Sequence, residues 1–395
     1  MKVIYLDNNA TTMVAPEVFE VIRPYFVERY GNPSSMHSFG GKLARDVTQA
    51  RERVAGLIGA HPSEIVFNSG GTEADATAIM SALATMPDRR EIVTTRVEHP
   101  AVLNLCKHLA RYKGYKVHWL SVDKQGLLDM DEVRAKISDQ TAIVSVMWAN
   151  NETGVIFPLQ EIAQIASEHG ALVHSDAVQA VGKVPIDLTN TNIHFLSISG
   201  HKLHAVKGIG VLYVRRGTRF SPLMVGGHQE LDRRAGTENV PGIVSMGMAA
   251  ELAASHLAGR TQGIARLRDR LQEELLKAIP NSHVHGHREL RLPNTLNMGF
   301  EFVEGEAILM RMDEKGICAS SGSACSSGSL EPSHVLRAMG VPFTAVHGSI
   351  RFSLSRYTTA EEIDFVLNEV PEIISFLRRL SPFVNRDFDR ACVVQ

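Results

Sequence analysis

The chain has 395 residues, enough for two lobes with separate cores, and its 44% apolar and 21% charged content is that of an ordinary globular protein. Lysine and arginine total 41 against 43 aspartate and glutamate, a net charge of -2, which offers no general basic surface to nucleic acid and no acidic block of the kind that stays disordered. The apolar runs are strand-length, too short for a membrane-spanning helix, and residues 1–7 lack the apolar core and cleavage site of a secretory signal. The four cysteines, at positions 106, 318, 325 and 392, show no metal-type pairing, which suits free thiols in a reducing cytosol.

Leu6-Asp7-Asn8-Asn9-Ala10-Thr11-Thr12 is a polar, turn-like arm. It reads either as a solvated terminus or as a strap laid into a cleft, with Asn and Thr supplying hydrogen bonds. Helical patterns follow over 16–30 and 41–57, separated by Gly31-Asn32-Pro33-Ser34-Ser35. From 64 the pattern becomes α/β. A strand over 64–67 runs into Asn68-Ser69-Gly70-Gly71-Thr72-Glu73 and then a helix over 74–84. Strand, glycine turn and helix N-terminus aim free N–H groups and a hydroxyl at one point, which suits phosphate. The turn matches neither the P-loop nor the dinucleotide fingerprint, and a simple Gly-Thr helix cap has the same residues.

The strand over 91–97 ends in Glu98-His99-Pro100, and proline suits the first turn of a helix. His99 therefore sits at a strand-to-helix corner, either structural or facing a ligand at the carboxyl edge of a parallel sheet. Cys106 falls on the apolar face of the next helix with Val102, Leu105 and Leu109, a core position. A strand over 142–147 carries Asn150-Asn151 at its tip, and one over 171–174 carries Ser175-Asp176-Ala177-Val178-Gln179. An acid at a strand tip needs a cation or donors. The run 193–198 ends in Ser199-Gly200-His201-Lys202, and 211–214 reads as a neighbouring strand. Lys202 is either a surface lysine whose stem packs on the core or a partly desolvated nucleophilic amine. The repeated device of apolar strand, polar tip and helix predicts a mostly parallel sheet with its site at the strand ends.

The glycine-rich stretches 226–228 and 233–239, the latter with Arg233, Arg234 and Thr237, read as an exposed basic loop or a second anion-binding element. An amphipathic segment over 249–279, interrupted near Gly259, leads to a second lobe. His283, His285 and His287 read as a solvated loop in preference to a metal site. The second lobe has a strand over 296–300, a helix over 304–315, and a strand-like 317–319 in which Cys318 is expected to be buried. The Gly/Ser tract 320–329 holds Cys325 near its centre, a thiol without a core to fill and so placed for use. Arg351, on a strand over 350–356, either grips a carboxylate with its fork or makes a structural ion pair. A lysine, a phosphate turn, an acid and a histidine on strand tips suggest pyridoxal phosphate, for which a protein supplies those groups. An arginine and a mobile thiol suit an amino-acid substrate from which a group is moved.

The motifs Gly200-His201-Lys202, Ser175-Asp176-Ala177-Val178-Gln179, Arg234-Ala235-Gly236-Thr237-Glu238-Asn239 and Ser321-Gly322-Ser323-Ala324-Cys325 resemble those of the cysteine desulfurases of the NifS/IscS class, especially its nitrogen-fixation branch. The resemblance runs from Tyr5 to about Pro382. It implies an α/β fold of the fold-type-I pyridoxal-phosphate transferases. The large domain would span 15–258, the small α+β domain 1–14 and 259–382, and a tail 383–395. It implies a cytoplasmic homodimer that converts L-cysteine to L-alanine, leaves the sulfur as a persulfide on Cys325, and supplies iron–sulfur cluster assembly through a scaffold protein. Lys202 would carry the coenzyme and later move protons, Asp176 would pair with its pyridinium nitrogen, and His99 would stack on its ring. Gly71, Thr72, Ser199 and His201 would hold the phosphate, joined by Thr237 from the other subunit, and Gly200 would also bind the coenzyme. Asn151 and Gln179 would meet the ring substituents, Asn151 and Arg351 the substrate, and Cys325 could ligate an iron–sulfur species in passing. The rival readings are a selenocysteine lyase or aminotransferase of the same fold, a sulfur carrier without catalysis, and a histidine metal module. Cys392, in the tail, reads as a spare thiol in preference to a sulfur relay.

Overall fold

A computed structural model describes residues 3–257, 261–321 and 332–382. A short strand, Ile4–Tyr5 (β1), opens the chain. The central sheet is built from Ile65–Asn68 (β2), Glu91–Thr95 (β3), Lys116–Leu120 (β4), Thr141–Ser145 (β5), Leu172–Asp176 (β6), Phe195–Ser199 (β7) and Gly210–Val214 (β8). Their spatial order is β2-β8-β7-β6-β5-β3-β4. Every pairing from β7 through β4 is parallel, and β8 runs antiparallel to both its neighbours. The reversal has a simple cause. Residues 200–209 between β7 and β8 are too few for a crossover helix, which takes about a dozen residues or more.

The strands β5 to β8 are buried along their whole length, as continuous β-branched and aromatic runs require when both faces of a sheet are covered. On one face lie the helices Leu43–Leu57, Leu159–Glu168 and Val240–Leu257; on the other lie Gly71–Thr85 and Pro100–Lys113, with Cys106 fully buried among Ala78, Val102 and Ile143. The second sheet, of Ser282–His285 (β9), Thr295–Phe300 (β10), Ser320–Ser321 (β12) and Ser349–Ser353 (β13), is antiparallel in the order β12-β13-β10-β9. Between β10 and β12, Ile317–Cys318 (β11) pairs in parallel with β1. A separate core of Ile4, Leu6, Leu271, Leu296, Phe352 and Val366 binds this sheet to the helices Thr261–Ala278 and Ala360–Leu380. Among the described residues no helix is long and apolar enough to cross a membrane.

Several expectations change in detail. The helix expected over 16–30 is two pieces, Pro16–Ile22 and Pro24–Val27, because Pro24 has no N–H to continue the first ladder. The segment 249–279 is two helices as expected, Val240–Leu257 and Thr261–Ala278, but the first begins earlier, at Val240. His283 and His285 are not in a solvated loop. They lie in β9, where His285 pairs with Asn297 and is buried, and that burial pushes its imidazole down to about 4. The alternation His-Val-His is a strand period, which the polarity of histidine masked. No group of metal-ligating side chains gathers among the described residues. Cys318 is only partly buried, being at the edge of a two-residue strand. The strand β4 and the helices Met130–Lys136, Leu159–Glu168 and Ala360–Leu380 were not expected.

Candidate active site

The arm at 6–12 is a strap, not a solvated end. Asn8 N–H donates to Ser353 O at 3.1 Å, and Thr12 N–H donates to His201 O at 3.0 Å, so the arm crosses from the small sheet to the large one. Asn9 fixes it in between. Its side chain donates to Thr295 Oγ1 at 2.9 Å and Asn151 O at 3.2 Å, and accepts from Asn294 Nδ2 at 3.1 Å. Lys202 closes the short 3-10 turn Gly200–Lys202 that follows β7. Its Nζ donates to Asn9 O at 2.6 Å and Ala10 O at 2.5 Å, and Gln179 Nε2 reaches the same Asn9 carbonyl at 2.9 Å. The amine is thus held by the strap over the sheet edge, which a solvated surface lysine would not be. His201 Nδ1 lies 3.0 Å from Thr11 Oγ1, and burial, reinforced by Lys202 and Lys207, pushes that imidazole down to about 4.

The turn after β2 faces the same edge. Gly70 caps the helix Gly71–Thr85 at φ 151°, without any side-chain cap. The first N–H groups of that helix therefore have no intrahelical acceptor. The approach is close: a Cβ on Gly71 would stand 2.9 Å from Val178 Cγ2 and 3.6 Å from Ser199 Cβ. Ser199 and Gly200 are buried at the tip of β7, and Thr72 is exposed on the first helical turn. Thr237 is exposed in a shallow cleft shared with Ser69, Gly208 and Arg234. The charge of Arg234 is taken within the chain, since its Nε lies 2.9 Å from Glu73 Oε1.

Asp176, at the end of β6, is buried and accepts Val178 N–H on Oδ1 at 2.9 Å. Beneath it lies a second buried acid, Asp75, whose Oδ1 is 3.4 Å from His174 Nε2. The His174 ring also lies between the hydroxyls of Ser145, at 2.8 Å, and Ser197, at 2.9 Å. Burial pushes His174 down to about 4, so the ring is neutral at pH 7 and its contact with Asp75 is not an ion pair. Burial raises both Asp75 and Asp176; for Asp176 the Asp75 carboxylate adds to the rise while His99 opposes it. His99 caps the helix Pro100–Lys113, with Nδ1 accepting Ala101 N–H at 3.2 Å. That commits Nδ1 as an acceptor and leaves Nε2 as the other working atom of the ring. Its neighbour Glu98 is fully buried, accepts Met147 N–H and Thr95 Oγ1–H on Oε1, and is pushed up to about 8 by burial.

Arg351, on β13, is buried and splits its fork. Nη2 lies 2.7 Å from Asp7 Oδ1, Nη1 donates to Asn151 O at 3.1 Å, and Nε is buried without a partner. The buried Glu152 next to Asn151 is held up near 7 by burial, against the pull of Ser333 and Arg351. Lys202, His99, Asp176, Gln179, Asn151, Ser199, Gly200, His201, Gly71, Thr72 and Arg351 thus cluster about the carboxyl edge of the large sheet, where the small lobe meets it. Cys325 and Cys392 lie outside the described residues. The sequence reading missed Asp7, Asp75, His174 and Lys183. Of these, Asp75 stood on a helix face with Ala74 and Ala78, an acid at an apolar position, and that was the one available signal.

The aminotransferase class-V family matches residues 4–366. The cysteine desulfurase of Trichormus azollae is 60% identical over 385 residues, covering 98% of this chain and 96% of that one. The cysteine desulfurase NifS of Azotobacter vinelandii is 57% identical over 381 residues, covering 96% and 94%. A solved structure of a NifS-like protein superposes with a TM-score of 0.89 at 38% identity, covering 95% of this chain and 100% of that one. The fold, the site at the strand tips and these likenesses agree: the chain belongs to the aminotransferase class-V family of pyridoxal-phosphate enzymes, among its cysteine desulfurases.

Proposed function

We propose that the residues gathered at the sheet edge divide the desulfuration of L-cysteine among themselves as follows. Pyridoxal phosphate fits the site on the chain's own features: an uncapped helix N-terminus at Gly70–Gly71, a buried acid at Asp176, and an amine at Lys202 held by two carbonyls. Gly71, Thr72, Ser199, Gly200 and His201 would receive the phosphate, with Thr237 of the partner subunit. Asp176 would face the pyridine nitrogen, Asn151 and Gln179 the ring substituents, and His99 the ring face. When bound, the coenzyme supplies an electron sink that loosens the bonds at the substrate's α- and β-carbons. Lys202 would tether it and move the α-proton. Arg351 would take the substrate carboxylate, for which its orphaned Nε is a ready donor.

The Cys325 thiolate attacks the substrate sulfur. An S–S bond forms, the Cβ–S bond breaks, and its electron pair stays on the carbon, which gains a proton to give L-alanine. The persulfide then passes to an iron–sulfur scaffold protein in nitrogenase-related cluster assembly, where Cys325 could ligate a cluster in passing. The working unit is a cytoplasmic homodimer with a large lobe over 15–258 and a small lobe over 1–14 and 259–382. The observation that carries this reading is the convergence of the held amine, the buried acid and the uncapped helix at one sheet edge. The test is incubation with L-cysteine and a reductant. Alanine and sulfide should appear in equal yield, and Cys325→Ala should lose sulfide release while keeping the coenzyme's absorbance. Pyruvate with ammonia, or full sulfide release by the variant, would refute it.

A further inference from the structure

A cleft opens between the two sheets on a wall of its own. It shares Lys202 with the site above, but its lining includes none of Asp176, His99, Gln179 or Ser199. Its described lining carries Lys183, Lys202, His204, His256 and Arg356, and no carboxylate. His204 is pushed down to about 4 and is neutral at pH 7, so the lining's fixed charge sits on its lysines and Arg356. A cation withdrawn from water pays a desolvation cost that an anion or a full set of acceptors offsets.

Two side chains make the case. Arg356 buries both Nε and Nη2 with no hydrogen-bond partner. Those two N–H groups form the side edge of the guanidinium, the edge that meets an oxyanion with two parallel bonds. The guanidinium carbon of the same group lies over the Tyr357 ring, 5.2 Å from its centroid. Lys183 lies on the same wall. Its Nζ donates to Gln179 Oε1 at 2.7 Å and Asn9 Oδ1 at 3.2 Å, both neutral acceptors. The surrounding charges agree with the lining. Lys183 is pushed down to about 7 by desolvation, with Lys202 and Arg351 adding to it. His204 is pushed down to about 4 by burial, with Arg356, Lys183 and His256 all adding to it and only the Met13 carbonyl opposing. Neither group has a carboxylate among the charges that shift it.

We propose that this cleft is a second anion site, for a small oxyanion of carboxylate or sulfate type, gripped by Arg356 Nε and Nη2 and neutralised by Lys183. It is separate from the substrate carboxylate's place at Arg351. The site does not depend on how the desulfuration residues are assigned.

The probes are sulfate and acetate, titrated into the holoenzyme at an ionic strength held constant with sodium chloride while the melting temperature is followed. Either probe should give a saturable rise, about 1–2 °C at ten times its Kd, and Arg356→Met should abolish it. Loss of the guanidinium also removes its packing on Tyr357, so the wild-type protein provides the second readout. Selenate soaked into crystals should give an anomalous peak within hydrogen-bond distance of Arg356 Nε and Nη2. A rise no larger than with chloride alone, or a cleft holding only ordered water, would overturn the proposal.

Discussion

Glu98 stands one residue before His99 in a position where nothing positive faces it. Its Oε1 is satisfied by Met147 N–H and Thr95, its Oε2 has no partner, and burial holds the carboxyl up near 8. A carboxyl raised above its unfolded value stabilises the fold below that unfolded value and loses the contribution as pH rises through the folded one. Stability carried by Glu98 is therefore full below about 4.5 and fades toward pH 8. Glu98→Gln keeps an acceptor for the same two donors and removes the ionisation. The apoprotein of this variant should match the wild type near pH 4.5 and exceed it increasingly up to pH 8, by at most about 1.4 kcal/mol per pH unit. Denaturant melts across that range will read it, and parallel curves would refute it. Asp75 makes a second residue-scale prediction. Burial raises Asp176, and the neighbouring Asp75 carboxylate raises it further. Asp75→Asn removes that repulsion, so Asp176 should ionise at lower pH. If Asp176 must be ionised to meet the pyridine nitrogen, coenzyme uptake by the apoprotein should persist to a lower pH in the variant, as followed by absorbance.

At the scale of elements, the site depends on the close approach of a turn and two strands. A Cβ on Gly210, in β8, would stand 2.5 Å from Gly70 Cα and 2.8 Å from Gly70 C, both backbone atoms that cannot swing away. Gly210→Ala must therefore push the turn at Gly70–Gly71 off the tip of β7. We expect a stability loss of about 1–3 kcal/mol together with weaker coenzyme binding, measured by melts of the apoprotein and by titration with pyridoxal phosphate. Normal affinity in the variant would mean that the turn is not part of the phosphate site. The strap is the other element on which the site rests. Asn9 links Lys202, Gln179 and Asn151 with Asn294 and Thr295, so the small lobe and the large lobe's amine meet on this residue, with Ala10 O as a second hold on Lys202.

For the whole molecule, one early stretch leaves several large apolar side chains in water, with Phe26 62% and Val27 70% exposed and Tyr30 set edge-on against Phe39. Such a run marks a surface that another molecule covers, and a second copy of the chain is the occupant in the proposed homodimer. Phe26→Asp combined with Tyr30→Asp should shift sedimentation from dimer to monomer. The monomer should also bind coenzyme more weakly, because Thr237 is exposed and would serve its neighbour. An unchanged sedimentation coefficient would count against this face.

Local chemistry determined a good deal on its own. The apolar runs 142–147 and 193–198 made strands, as their composition favours. Gly71, Asp176 and Lys202 were singled out by their places beside strand ends and Arg351 by its place on a strand, with a structural alternative open for the glycine turn, the lysine and the arginine. The alternating His283-Val284-His285 misled because polarity hid a strand period that only pairing with β10 revealed. Asp7, His174 and Lys183 had no local signature, and Asp75 only its place on the apolar face of a helix. Their partners lie up to hundreds of residues away, as with Asp7 and Arg351, so only the folded chain could say which charge meets which and which, like Arg356 Nε, meets none. Sequence carries the identity and period of each group; its desolvation and its partners belong to the packing of distant segments, and these set its ionisation and its use.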